Sequence, residues 1–81
     1  MIFGKSKFEA IIKQKQVKVA ALPQDNHNWC LAMKEPNGTA YLGDNETQAK
    51  EFTSVSELII YATELGAAEV IVITGAVPWK F

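Results

Sequence analysis

Trp29-Cys30-Leu31-Ala32-Met33-Lys34-Glu35-Pro36-Asn37-Gly38-Thr39-Ala40-Tyr41-Leu42-Gly43 is the stretch on which the reading of this chain turns. Its centre is Glu35-Pro36-Asn37-Gly38. Proline suits position i+1 of a type I turn, asparagine suits i+2, and Gly38 tolerates the positive φ that restarts a strand. Runs of β-formers flank the turn, so residues 29–34 and 39–43 are predicted to form a β-hairpin. Alternation along the first strand sets Trp29, Leu31 and Met33 on one face and Cys30, Ala32 and Lys34 on the other.

Upstream, Gln24-Asp25-Asn26-His27-Asn28 is a run of turn-favouring polar residues. Before it, residues 17–22 are rich in β-formers, and Pro23 closes them as a strand. Earlier still, Ser6-Lys7-Phe8-Glu9 reads as a capping box in which Ser6 and Glu9 satisfy each other's amides. It opens an amphipathic helix over 7–16 with Phe8, Ile11 and Ile12 on one face. So short a helix is marginal in isolation, so those three residues must dock, either on this chain's own sheet or on a partner.

Downstream, Asp44-Asn45-Glu46 makes a turn and residues 48–52 add a short strand. Ser54-Val55-Ser56-Glu57 is a second capping box. The stripe Val55, Leu58, Ile59, Ala62 and Leu65 follows, and Gly66 supplies a left-handed exit. Ile60 and Tyr61 widen the stripe, which predicts a helix covered on more than one side. Val70-Ile71-Val72-Ile73 is an unbroken β-branched run, the pattern of a central strand buried on both faces. Gly75 ends it, and Ala76-Val77-Pro78-Trp79-Lys80-Phe81 is an apolar tail, predicted to dock through Trp79 and Phe81.

The fold class is therefore α+β: one small domain over residues 1–81, in the order α-β-β-β-(β)-α-β. Two helices cover an antiparallel or mixed sheet of four to five strands. If both pack on one face, the other is expected to show Cys30, Ala32, Ala40, Leu42 and Trp79 to solvent. An apolar face of that kind favours a dimer or a client protein.

Composition narrows the function. Of the 81 residues, 48% are hydrophobic and 21% charged, a globular balance that excludes intrinsic disorder. The apolar runs are too short to span a bilayer. Met1-Ile2-Phe3-Gly4-Lys5 lacks the apolar region of a signal peptide. The single cysteine allows no internal disulfide, so a cytoplasmic location is expected. Residues 1–18 hold five lysines against Glu9 alone, and the remainder holds three lysines against eight acids. There is no arginine, so the planar fork that reads phosphate or guanine in bidentate fashion is missing.

Candidate chemistry is thin. His27 and Cys30 form an H-x-x-C pair, short of the three or four protein ligands a zinc site needs. Cys30 lacks a neighbour suited to hold its thiolate. Asp44, Glu46 and Glu51 read as solvated turn carboxylates rather than a paired acid and base. No phosphate-binding glycine loop or nucleophile elbow occurs. The order α-β-β-β-α resembles that of double-stranded RNA-binding domains in topology alone. Where those domains carry lysines, at the start of the second helix, this chain has Ser54-Val55-Ser56-Glu57, so no family is assigned.

The expectation is a non-catalytic protein-binding module that forms a homodimer, an accessory, adaptor or inhibitor of a larger assembly. Such chains are common on mobile elements. Its interaction surface is predicted to draw on Phe8, Ile12, Lys13, Lys15, Trp29, Tyr41, Trp79 and Phe81, with no cofactor, metal or catalytic residue and no membrane contact. One alternative is nucleic-acid binding by the lysine-rich first helix, with Trp29, Tyr41 and Phe52 stacking on bases. Another is a small-ligand or metal site at His27 and Cys30.

Overall fold

The structure, a computed structural model, describes residues 1–15 and 17–74. Eight elements follow in order: β1 (Ile2–Phe3), α1 (Lys5–Lys15), β2 (Val19–Pro23), β3 (Trp29–Glu35), β4 (Gly38–Leu42), β5 (Glu51–Phe52), α2 (Val55–Glu64) and β6 (Val70–Val72). The result is a small compact α+β fold with two helices on a mixed sheet of six strands.

The hairpin forms as its turn predicts. Glu35 pairs with Gly38, and Gly38 takes φ +132°. That register places Met33 opposite Ala40. Ala40 and Leu42 therefore share the face of Met33 and Leu31, not that of Cys30 and Ala32 as expected above. The correction follows from the turn itself, because a two-residue loop fixes which positions face each other.

Strand number and order also differ from expectation. The spatial order is β1-β4-β3-β2-β6, with β5 on β3 in the lane that β4 leaves. Ile2–Phe3 supplies an extra strand, parallel to β4. Val70–Val72 lies at the edge, parallel to β2, rather than in the centre. By these pairings every strand except β3 runs in the same direction. Both crossovers, β1-α1-β2 and β5-α2-β6, then step the same way across the sheet. Parallel crossovers share one hand, so both helices must fall on one face. They do: Phe8 and Ile12 of α1 and Leu58 and Ala62 of α2 join Val19, Ala21, Leu31, Met33, Ala40 and Leu42 in one core.

The helix ends show what local sequence controls. Ser54 is the N-cap of α2 and its hydroxyl accepts from the Glu57 amide at 3.2 Å. At the other end, the Ala67 amide donates to Ala62 O and the Gly66 amide to Thr63 O, both at 3.0 Å, with Gly66 at φ +106°. This is a Schellman exit. The first helix departs from its predicted cap. Ser6 lies inside α1, and the first helical bond runs from the Phe8 amide to Gly4 O at 3.0 Å. Once β1 pairs with β4, Gly4 alone separates strand from helix, so the helix starts there. Glu9 instead pairs with Lys13 at 3.3 Å. No helix among the described residues is long and apolar enough to cross a membrane.

Candidate interaction surfaces

Cross-strand register assigns each residue of the sheet to a face. The face opposite the helices carries Ile2, Ala20, Leu22, Cys30, Ala32, Tyr41, Glu51 and Ile71. Its centre is made of small side chains, and these are buried: Ala20 and Ala32 at 0% exposure, Cys30 at 3%. The larger residues around them, Ile2, Leu22, Tyr41 and Ile71, are half-buried. Cys30 and Ala32 thus lie on the predicted face but are not shown to solvent. Burial, and then the neighbouring Glu51 carboxylate, push the Cys30 thiol up, which disfavours a nucleophilic thiolate.

At the lower end of this face, Glu51 organises the loop between β2 and β3. Its Oε1 accepts from Asn28 Nδ2 at 2.8 Å and Asn26 Nδ2 at 2.7 Å, and these bonds hold the carboxyl below the usual carboxylate range. His27 sits exposed in that loop with φ 68°. No group of three or more metal-ligating side chains occurs among the described residues.

The predicted interaction residues do not assemble into one surface. Phe8 and Ile12 are 0% and 3% exposed and cover this chain's own sheet, so they are unavailable to a partner. Lys13 and Lys15 are exposed on α1, with Lys13 held to Glu9. Trp29 is half-buried against the helix-side core, whereas Tyr41 lies on the opposite face. Phe52 pairs with Trp29 and is buried. The three rings offered for base stacking therefore do not share a face. Lys50 lies 5.5 Å from the Phe52 ring centroid and 5.6 Å from that of Tyr61, over which Lys5 also lies at 5.8 Å. Two lysines and two aromatics are thus engaged with each other. Trp79 and Phe81 lie outside the described residues.

A different surface emerges from side chains that the prediction left out. Ile60 is 61% exposed, Val72 39% and Ile59 38%, and α2 packs against β6. The widened stripe noted in the sequence is its signal: within this chain α2 is covered on one side, and Ile59 and Ile60 are left over. β6 in turn offers an outer edge that pairs with no strand among the described residues. Edge strands are commonly protected by lysine, proline or a bulge; Val70-Ile71-Val72 contains no such device. A cleft lined by Ile12, Val17, Lys18, Gly66, Ala67, Ala68 and Glu69 opens between the ends of the two helices. It brings together one lysine and one glutamate, with no nucleophile or histidine. No family model matches this chain, and no curated protein or solved structure does either.

Proposed function

We propose that this chain is a non-catalytic protein-binding module that pairs with a second copy of itself through the β6 edge and the adjoining flank of α2. One observation carries the reading: a strand with the composition of a central strand occupies an edge. Val70, Ile71 and Val72 are uncharged and β-branched, and a second β6 laid against them makes the strand internal. A two-fold axis at that edge would set the Ile59, Ile60 and Val72 patches of the two copies together. Nucleic-acid binding is less well supported, because the aromatic residues are divided between faces and partly occupied by lysines.

Sedimentation equilibrium tests the proposal. The native chain should show twice the 8.9 kDa protomer mass, and Ile60→Lys should restore the protomer mass with an unchanged far-UV spectrum. A native protein that stays monomeric at every accessible concentration would overturn self-association. A dimer indifferent to Ile60→Lys and to Val72→Lys would place the interface elsewhere.

A further inference from the structure

Four asparagines occur in the chain, and the fold treats one of them differently. Asn26 and Asn28 donate from Nδ2 to the Glu51 carboxylate at 2.7 and 2.8 Å, and Asn26 Oδ1 accepts from the Asn28 amide at 3.1 Å. Asn45 Oδ1 accepts from the Thr47 amide at 2.7 Å, the Thr47 hydroxyl at 2.6 Å and the Gln48 amide at 3.0 Å. Asn37, at the tip of the β3–β4 hairpin, is exposed, and no side-chain hydrogen bond among the described residues holds it.

The residues that follow the four differ as sharply. His27, Trp29 and Glu46 each set a side chain beside the next main-chain nitrogen, whereas Gly38 sets none. Gly38 is exposed as well, and open space lies where its Cβ would stand. An asparagine Cγ and the following main-chain nitrogen are spaced to close a five-membered ring. Closure needs rotation about ψ of the asparagine, which a following glycine hinders least. Here the Glu35–Gly38 pair must first part. It is the last pair before the loop, and an exposed hairpin tip opens at small cost.

We infer that Asn37 is a self-modification site, at which the folded chain converts its own hairpin turn to aspartate and isoaspartate. Hydroxide removes the Gly38 amide proton, and the nitrogen attacks Asn37 Cγ. A C–N bond forms to close a succinimide, and the side-chain nitrogen leaves as ammonia, taking its proton from solvent. Water then opens the ring. Attack at Cγ gives aspartate, and attack at the main-chain carbonyl carbon gives isoaspartate. The net change consumes one water and releases one ammonia, with no oxidation or reduction. Aspartate suits the turn as asparagine does. Isoaspartate inserts a further backbone carbon into a two-residue loop, so the closure that sets Met33 opposite Ala40 is lost. The inference is independent of self-pairing through β6, which lies at the far edge of the sheet.

The test is to age the folded full-length chain in mildly alkaline buffer, then digest after lysine and fragment the peptides. Asn37 should convert at least about tenfold faster than Asn26, Asn28 or Asn45, with isoaspartate among the products and a rate that rises with pH. An Asn37 left intact while the same chain in urea converts there would overturn the inference, because the folded turn would then be protective. Conversion spread evenly over the four positions would overturn it too. So would aspartate without isoaspartate, which points to direct hydrolysis. Asn37→Gln, at an exposed position, should keep the far-UV spectrum and abolish the early gain in mass. A gain that persists in that variant would assign the reaction to another residue and overturn the proposal.

Discussion

On the helix side of the sheet, β2, β3 and β4 present Val19, Leu31, Met33, Ala40 and Leu42; on the other side they present Ala20, Cys30, Ala32 and Tyr41. The central residues of both sets are buried, but they reach burial by different routes. Large side chains on the first face fill the space beneath two helices. Small ones on the second expel water only if a cover comes close to the backbone. Side-chain volume on a sheet face thus reports how near its neighbouring layer lies, and not only whether one exists.

The comparison can be broken most directly by truncating the helix side. Leu31→Ala should cost about 3 kcal/mol in urea unfolding, because the cavity it leaves is held open by Phe8, Met33 and Leu58. A loss below about 1 kcal/mol would mean that the helices collapse easily onto the sheet. Enlarging the opposite side is the converse test. Ala32→Leu should cost about 1–3 kcal/mol if a close cover lies over it, and within about 0.5 kcal/mol of nothing if that face is open.

Weaker effects sharpen the role of the helical lid. Ser54→Ala removes the acceptor for the Glu57 amide and should cost about 1 kcal/mol. Ser6→Ala should change stability by less than about 0.5 kcal/mol, because Ser6 lies inside α1 and caps nothing. Equal losses at the two serines would show that Ser6 caps the first helix after all. The smallest effect belongs to Glu51, on the opposite face. Its folded pKa is lowered, so its contribution is present above the unfolded carboxylate value and is lost as pH falls through the folded one. Glu51→Gln should lower stability slightly at neutral pH and flatten that acid limb, so that the variant and native profiles converge at low pH. An acid limb identical in the variant would assign it to other carboxylates.

Much of the local structure was legible in the residues. The turn at Pro36-Asn37-Gly38, the Ser54 cap and the Gly66 exit each depend on chemistry within four residues, and each forms as read. The face of β4 was legible too, since Gly38 opposite Glu35 entails Ala40 opposite Met33; the missed step was to carry register through the turn. The Ser6 capping box was a sound local signal overridden from afar. Pairing of Ile2–Phe3 with β4 leaves the helix to begin at Lys5, straight after Gly4, and Tyr41 lies about forty residues from its partner Ile2.

The interaction surface was less readable for the same reason. Phe8 and Ile12 could have served a partner or this chain's own sheet, because an apolar stripe does not name what covers it. By itself, then, the sequence determined the hairpin, the caps of α2, the small and large alternation along β3, and the α+β class. The tertiary structure alone decided that β1 exists, that α1 starts at Lys5, that both helices share a face, and that Val70–Val72 stands at an edge. Turns and caps are closed by neighbours whose positions the chain already fixes. Strand order and the occupant of a face follow from which distant segments bury the most apolar surface together, a competition that no single window of residues contains.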